Sequence, residues 1–301
     1  MEPQFKRVSI IGLGLIGGSL ALGMKQRCLA AHIAAYDANP QALTAGIEMG
    51  VIDESADSIK TCTSNSDLIV LAVPVLSIRG ALAELTDVSG LITDVGSVKR
   101  PVVNAAREIF GEIPTRLIPG HPIAGSEKHG VQAANPNLFE HHKVILTPPD
   151  SADTDAVSAI VKFWESLGAQ VMKMTPDHHD SVFAQTSHLP HLLAYALVDM
   201  LSSQGDSLEI FEYAAGGFRD FSRIAASDPV MWRDVFKAND EKVLDSLDQY
   251  IEELAEIRNM IATGKAEELE ALFKRAKIAR DHFASIDASI NASINPGSFN
   301  G

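Results

Sequence analysis

The sequence predicts an α/β protein in which a doubly wound, largely parallel sheet is followed by an all-helical C-terminal domain. From residue 7 to about residue 173, short β-rich runs alternate with helix-like segments, which indicates a parallel sheet covered by helices on both faces. The β signal then disappears, and the rest of the chain is patterned as helix. We therefore assign residues 1–174 to the first domain, 175–286 to the helical domain and 287–301 to a flexible tail.

Seven strands and four helices are predicted in the first domain. The strands are the runs RVSIIG, HIAAYD, DLIVLAV, LITDVG, TRLIPG, KVILTP and AQVMKM. Their apolar residues follow one another instead of alternating with polar ones, which is typical of strands buried on both faces. Helices are predicted between several of these strands, over residues 16–27, 40–48, 99–110 and 153–167.

The helical domain is expected to pair two copies of the chain. The run QTSHLPHLLAYALVDML, residues 185–201, is mostly apolar around its circumference, so we expect a buried helix at a subunit interface. The segment NDEKVLDSLDQYIEELAEIRNMI is amphipathic, and its apolar face carries Val243, Leu247, Ile251 and Leu254. These faces exceed what one thin helical layer buries against a single sheet domain. The sequence therefore predicts a homodimer that forms through the C-terminal helices.

Composition and charge exclude several classes of partner. A formal net charge of −14 argues against nucleic acid or an anionic membrane surface as the main partner. No run is long and apolar enough to span a bilayer, and two cysteines provide no disulfide framework. Lys6 and Arg7 precede an apolar run, as in a secretion signal, but the glycines of that run fall where a strand-turn-helix requires them. These features predict a cytoplasmic protein.

A glycine-rich turn near the start of the chain predicts a dinucleotide site. IIGLGLIGGS has the G-x-G-x-x-G spacing between an apolar strand and a helix, as in a Rossmann-type domain. Asp37 ends the next strand, where a carboxylate can bind an adenosine ribose and repel a 2′-phosphate. This pattern predicts NAD and not NADP. The alternative is that the protein binds no dinucleotide here and that the glycines serve only close packing. The expected cofactor-binding residues are Gly12, Gly14, Leu15, Ile16, Gly17, Asp37, Val73 and Pro74.

A nicotinamide enzyme that oxidises an alcohol needs a group that takes the hydroxyl proton, and histidine suits this role. His121 follows the apolar run RLIPG and is expected to enter a loop at the carboxyl edge of the sheet, where ligands bind in doubly wound folds. TDVGSVK ends another strand and supplies Ser97 there. His188 and His191 lie on an apolar helix, where they either belong to the site or are hydrogen-bonded histidines of the core. The pair His178-His179 opens a helix, but no second ligand set supports a metal, so none is predicted.

Five motifs together resemble the prephenate/arogenate dehydrogenases, and the bacterial cyclohexadienyl dehydrogenase group in particular. The motifs are GLGLIGGS, TDVGSVK, PGHPIAGSEKHG, SHLPHLLAYAL and GGFRDFSRIAASDPVMW, in this order along the chain. They span nearly all of residues 7–240, and their combination is far more specific than any one of them. The resemblance implies an NAD-dependent oxidoreductase of tyrosine biosynthesis that converts prephenate, L-arogenate or both.

The resemblance also implies roles for individual residues. His121 matches the histidine that takes the proton of the substrate's ring hydroxyl, and Ser97 is similar to the serine that helps to place it. Arg223 looks like the arginine that pairs with a substrate carboxylate, with Asp220, Ser227 and Trp232 around it. The helix that lines the pocket supplies Ser187, His188 and His191, and the loop that shapes it supplies Ser126 and Glu127.

Two other interpretations compete with this one. A β-hydroxyacid dehydrogenase would share the domain order, but its catalytic lysine has no counterpart between Lys173 and Lys237. A non-catalytic NAD-binding protein would leave the combination of Ser97, His121 and Arg223 without a purpose. Between prephenate and L-arogenate, an acidic residue after the catalytic histidine would favour the amine of arogenate. Beyond Glu127 that loop has no further carboxylate, so prephenate or both substrates are expected.

Overall fold

A computed structural model describes residues 2–125, 128–203 and 212–294, with side chains described up to residue 285. The chain divides into two compact units, one that runs through Val243 and one that starts at Leu244. The predicted site residues within the described ranges all belong to the first unit. The second unit consists of most of one long helix and all of another. None of the helices among the described residues is long and apolar enough to cross a membrane.

The first unit contains a five-stranded parallel sheet with the order β3-β2-β1-β4-β5. Its strands are β1 (Phe5–Ile11), β2 (Ala30–Tyr36), β3 (Glu54–Ser55), β4 (Leu68–Leu71) and β5 (Leu91–Asp94). All four residues of β4 are buried, as expected for a central strand with helices on both faces. The chain leaves β1 toward β2 on one side and returns beside it as β4 on the other. A crevice therefore opens at the carboxyl ends of β1 and β4.

A second sheet of three strands follows, with the order β6-β7-β8. Its strands are β6 (Gly120–Pro122), β7 (Lys143–Leu146) and β8 (Gln170–Lys173); β6 pairs antiparallel with β7, and β7 pairs parallel with β8. The strand predicted over TRLIPG is misplaced, because only Leu117 forms an isolated parallel bridge, to Ile92 of β5. Pro119 and Pro122 have no N–H to donate, which interrupts a continuous ladder. His121 consequently lies inside a short strand and not in a loop.

Six helices accompany these strands. They are α1 (Leu15–Gln26), α2 (Pro40–Glu48), α3 (Ile59–Thr63), α4 (Ile78–Ala83), α5 (Arg100–Phe110) and α6 (Thr154–Ser166). The four predicted helices end within one residue of the observed bounds because their ends carry local signals. Asn39 and Asp153 cap the starts of α2 and α6, and Gly111, at φ +80°, ends α5. The short helices α3 and α4 are absent from the prediction.

The remaining helices among the described residues are α7 (Pro176–Phe183), α8 (Leu189–Ser202), α9 (Gly216–Ser222), α10 (Pro229–Ala238), α11 (Asp240–Ala262) and α12 (Ala266–Ile294). Between α7 and α8, residues Ala184–His188 form one wide π-helical turn. Pro190 is a physical reason for this widening, because it has no N–H for the carbonyl of Thr186 and its ring crowds that carbonyl. The backbone of α12 continues beyond the helix end expected near residue 284, and residues 295–301 of the predicted tail lie outside the described residues.

The C-terminal helices are only partly buried within one chain. Of the α8 residues, only Ala194 is buried, while most of the others are half-buried. On α11, Val243 is buried, but Ile251 and Leu254 are 53% and 44% exposed. On α12, Phe273, Ile278 and Phe283 are exposed by more than half. A single chain therefore leaves large apolar side chains uncovered on its C-terminal helices.

Candidate active site

The glycine loop leaves space where a pyrophosphate would approach. Gly12 has φ +99°, and a Cβ there would lie 2.4 Å from the carbonyl oxygen of Ala72. A Cβ on Gly17 would lie 2.1 Å from the carbonyl oxygen of Gly12, so α1 packs closely against the turn. A Cβ on Gly14 would meet no atom within 4 Å. The first and third glycines are thus required by the protein itself, whereas the second opens the space before the N-terminus of α1.

Asp37 is held beside this loop. Its Oδ2 accepts the N–H of Leu13 at 2.6 Å, and its Oδ1 accepts the N–H of Asn39 at 2.7 Å. The side chain stays partly exposed just beyond the end of β2, and each oxygen keeps a further lone pair for a ribose hydroxyl. Leu15 and Ile16 open α1, and Val73 and Pro74 follow β4 on the other side of the crevice. These residues fit a dinucleotide.

A buried ion pair joins the end of β5 to the start of β6. Nζ of Lys99 contacts Oδ2 of Asp94 and donates to the carbonyl of Gly120 at 2.6 Å. Both charged side chains are fully buried. Burial lowers the pKa of Lys99, and the nearby carboxylates of Asp94 and Asp180 offset part of that effect. Since Gly120 directly precedes His121, this pair holds the histidine at the carboxyl edge of the parallel sheet.

His121 is the first member of a group of four histidines that we name the histidine cluster: His121, His179, His188 and His191. Nδ1 of His121 lies 2.8 Å from Nε2 of His179, and the ring of Phe183 packs 4.9 Å from the His121 ring. Burial lowers the pKa of His121 well below its usual value, and repulsion from His179, Lys99 and His188 adds to this. The imidazole is therefore neutral near neutral pH and can accept a proton.

His179 is fully buried and connects His121 to Asp180. Its Nδ1 lies 2.7 Å from Oδ1 of Asp180, whose carboxylate also accepts the backbone N–H groups of Lys99 and Arg100 at the start of α5. Burial lowers the pKa of His179, although Asp180 counteracts the shift. The amide of Asn239 donates to the carbonyl of Asp180 at 2.9 Å. The second half of the cluster is attached through this amide.

His188 and His191 surround Trp232. Nδ2 of Asn239 lies 3.2 Å from Nδ1 of His188, which is buried with a pKa lowered to about 4 by burial. The ring of His191 stacks on Trp232 at 3.8 Å, and that of His188 meets the same indole edge-on at 5.9 Å. The buried indole N–H of Trp232 has no hydrogen-bond partner among the described residues. A substrate carboxylate is the kind of group that could accept from it.

Arg223 lies on the turn Arg223–Ala226, directly after α9. Burial is the main reason that the pKa of His191 is lowered, and the positive charge of Arg223 lowers it further. The carbonyl of Ser187 accepts from Nδ1 of His191 at 2.8 Å and acts in the opposite direction. The carbonyl of Ser227 accepts from the hydroxyl of Tyr195 on α8 at 2.6 Å. Tyr195 thus holds the segment just after Arg223, and the charge of Arg223 acts on His191 of the cluster.

The remaining predicted residues are less closely tied to the cluster. Asp220 is exposed on α9, and Ser97 is half-buried in the loop between β5 and α5. Ser126 and Glu127 lie outside the described residues. No group of three metal-binding side chains occurs in the part of the chain that the structure describes.

Sequence reasoning passed over four residues that the fold brings to this site: Asp94, His179, Asp180 and Asn239. Asp94 lies inside the quoted motif TDVGSVK, so its nearness to Lys99 in the chain is a usable signal. His179 and Asp180 lie in TPDHHD, whose sequence pattern indicates a helix start and suggests a metal site that no second ligand set supports. Asn239 gives no signal beyond ending a helix.

Comparison with known proteins identifies the family. The model of the prephenate dehydrogenase nucleotide-binding domain matches residues 20–173, and that of the prephenate dehydrogenase dimerization domain matches residues 175–275. The chain belongs to the prephenate dehydrogenase family. This finding confirms the resemblance drawn from the motifs, the fold class and NAD as the cofactor.

Individual relatives of this family cover most of the chain. The prephenate dehydrogenase of Bacillus subtilis (strain 168) is 39% identical over 289 residues, which are 93% of this chain and 77% of that protein. The cyclohexadienyl dehydrogenase of Zymomonas mobilis is 36% identical over 282 residues, 92% of this chain and 95% of that protein. The crystal structure of prephenate dehydrogenase from A. aeolicus, in complex with hydroxyphenyl propionate and NAD+, has a TM-score of 0.85 and 38% identity, covering 92% of this chain and 98% of that one.

Proposed function

We propose that this chain catalyses the NAD-dependent oxidative decarboxylation of prephenate to 4-hydroxyphenylpyruvate in tyrosine biosynthesis. Membership of the prephenate dehydrogenase family supports the reaction. The observation that carries it at the level of residues is the position of His121, which the Lys99–Asp94 pair holds at the same edge of the sheet as the glycine loop. A group that takes a hydroxyl proton beside a dinucleotide site is what this oxidation requires.

The chemistry assigns the following work to the protein. Prephenate is a dianion with a ring alcohol, and bound NAD supplies the hydride acceptor. His121 takes the proton of the ring hydroxyl, and Ser97 helps to place the hydroxyl and the imidazole. Carbon dioxide leaves as the ring becomes aromatic, and this aromatisation drives the reaction. The side chains therefore mainly orient the substrate and pair with its charges.

Arg223 is the residue that we propose binds a substrate carboxylate, because a guanidinium forms two parallel hydrogen bonds with such a group. Trp232 and His191 form the adjoining wall, and the unpartnered indole N–H points to a polar ligand there. Ser187 and His188, on the π-helical turn that leads into α8, are proposed to line the same pocket, with Asp220 and Ser227 in supporting positions. Ser126 and Glu127 are proposed to shape the entrance.

For the cofactor, we propose that the pyrophosphate lies over Gly14 at the N-terminus of α1, between Gly12 and Gly17. Leu15 and Ile16 would offer the first N–H groups of the helix to it. Asp37 would accept hydrogen bonds from the adenosine ribose and repel the 2′-phosphate of NADP. Val73 and Pro74 would form the opposite wall of the crevice.

We also propose that the enzyme is a homodimer through its C-terminal helices and that it works in the cytoplasm. The match of residues 175–275 to a dimerization domain supports the dimer, as do the exposed apolar side chains of α11 and α12. The same matches support a functional division at residue 175, with residues 1–174 binding the cofactor and 175–286 the substrate and the second copy.

The experiment that tests this function measures NADH formation by the wild-type protein with prephenate and with L-arogenate side by side, with and without tyrosine. We expect turnover of prephenate with NAD and much weaker turnover with NADP. Arogenate is expected to be used equally or less, because Lys128 and His129, and no further carboxylate, follow Glu127 in the loop. Absence of NADH with both substrates, in a protein that still binds NAD, would refute the proposal.

A further inference from the structure

His121 stands at the end of a hydrogen-bond chain that runs into the protein interior. Its Nδ1 lies 2.8 Å from Nε2 of His179, and Nδ1 of His179 lies 2.7 Å from Oδ1 of Asp180. The side chains of His179 and Asp180 are fully buried, so these groups depend on one another for their hydrogen bonds. The hydrogen bonds among these three side chains therefore determine which nitrogen atoms carry protons.

The carboxylate determines these positions. A carboxylate only accepts hydrogen bonds, so Nδ1 of His179 donates to Asp180. A neutral His179 then has its lone pair on Nε2, and that atom accepts a hydrogen bond from Nδ1 of His121. Burial lowers the pKa of both imidazoles, which favours their neutral forms. A neutral His121 with its proton on Nδ1 presents an unprotonated Nε2.

Asp180 is itself fixed by three further contacts. Its two oxygens each accept a backbone N–H, from Lys99 and from Arg100, at 2.8 Å. Arg100 opens α5, a helix of 11 residues whose first N–H groups favour a carboxylate. Asn239 donates to the Asp180 carbonyl. Because α5 directly follows the loop with Ser97, Asp180 couples the orientation of His121 to that loop.

We propose that His179 and Asp180 are positioning residues, which fix His121 as the tautomer with its proton on Nδ1 and so present Nε2 to the substrate hydroxyl. When Nε2 takes the hydroxyl proton, the imidazolium keeps its hydrogen bond to His179, and Asp180 provides the negative charge at the other end of the chain. The neutral side chain of an isolated histidine prefers the opposite tautomer, in which Nε2 carries the proton and cannot accept another. The inference rests on the proposed role of His121 as the base.

Other charged groups around His121 act in balance with this chain. Lys99 and His188 disfavour a positive charge on His121, as does a protonated His179. Asp94 pairs with Lys99, and Asp180 pairs with His179, so these two interior groups each have a carboxylate partner. The proton acceptor is therefore kept neutral before the reaction, and its partner lies ready for the positive charge that develops.

The first arm of the test replaces His179. His179→Phe keeps a ring against Phe183 and removes the acceptor for Nδ1 of His121, so we expect kcat for prephenate to fall roughly 100-fold. The KM for prephenate and the affinity for NAD should stay near wild type, because only the base is misplaced. His179→Gln puts an amide oxygen near the former Nε2 and should restore part of kcat. His178→Gln changes the exposed neighbouring histidine and is the matched control, with wild-type kcat.

The second arm reads the tautomer directly. In protein labelled with 15N-histidine, the His121 signals are assigned by comparison with His121→Asn, and the proton is expected on Nδ1 in the wild type. His179→Phe should shift it toward Nε2. A wild-type His121 with its proton on Nε2, or a folded His179→Phe variant with wild-type kcat, would overturn the proposal. If His179→Phe does not fold, the wild-type tautomer and the kcat of His179→Gln decide. The spectrum is recorded without substrate. It therefore tests the tautomer of His121 even if the protein does not oxidise prephenate, so the two proposals can fail separately.

Discussion

The glycine loop and the histidine cluster lie at the same edge of the sheet but are built by opposite means. The loop, residues 12–17, works through its backbone, and one short stretch of sequence supplies its turn, its space and its helix N-terminus. The cluster works through side chains from β6, α7, the π-helical turn and α8, which buried hydrogen bonds bring together. The glycine loop is thus encoded by one short stretch, whereas the side chains of the histidine cluster come together only when several elements pack.

The largest expected effect separates the two regions. His121→Asn removes the proton acceptor and should lower kcat by about 10²- to 10⁴-fold, the range for loss of a general base. NAD affinity, measured by fluorescence titration or calorimetry, should survive because the glycine loop is untouched. His178→Asn is the control. A His121→Asn enzyme with near-normal turnover would remove the cluster from the chemistry altogether.

Substrate binding should separate from proton transfer within the cluster. Arg223→Ala is expected to raise the KM for prephenate about 10- to 100-fold, because a hydrogen bond to a charged group contributes roughly 1.5–3 kcal/mol. Steady-state kinetics with prephenate and NAD varied independently measure it. The control is Arg79→Ala, which breaks only an exposed ion pair with Glu108. An unchanged KM would place the carboxylate elsewhere.

Two glycines sharpen the account of the loop. Gly12→Ala should lower the free energy of unfolding by about 1–3 kcal/mol or more, since a positive φ and a clash with the Ala72 carbonyl both act against it. Gly14→Ala should leave stability near wild type, because its Cβ enters open space, while weakening NAD binding. Urea unfolding and NAD titration of both variants give the measurement. Equal stability losses would contradict the division of roles among the glycines.

The pH dependence of stability tests whether the fold keeps the four imidazoles of the cluster neutral. The four histidines of the cluster have lowered pKa values, His188 near 4 against an ordinary 6.5. Below pH 6.5 the unfolded chain takes up protons that the folded chain does not. Stability is therefore full above that pH and falls as the pH drops toward 4, by up to about 1.4 kcal/mol per pH unit for His188, and the other three histidines act in the same direction.

Urea unfolding across this pH range measures the slope. His188→Gln removes one titrating group and should flatten the slope by about one proton. A stability that stays constant between pH 6.5 and 4 would show that the imidazoles are not kept neutral by the fold.

The sequence predicts the parallel sheet, the glycine loop and the family because these depend on local patterns and on motifs that keep their order. It misplaces the strand before His121, since prolines decide where that ladder can form and apolar content alone does not reveal this. It cannot tell which of His178 and His179 belongs to the site, because the two differ only in that α7 exposes the first and buries the second against His121. The roles of Ser126 and Glu127 stay predictions.

The wide turn at Ala184–His188 sets the angular phase between two helices. His179 and His188 are nine positions apart, which in a regular α-helix of about 100° per residue would leave them on opposite sides of the axis. One additional residue in a single turn subtracts about 100° from that separation, so imidazoles from both helices can face a common centre. Without the wide turn, but with Thr186 in place, His188 and His191 would rotate out of step with His179, whereas deleting Thr186 would leave eight positions and nearly the same phase. A substitution that restored ordinary winding, such as Pro190→Ala, would therefore alter the site without changing any residue that forms it.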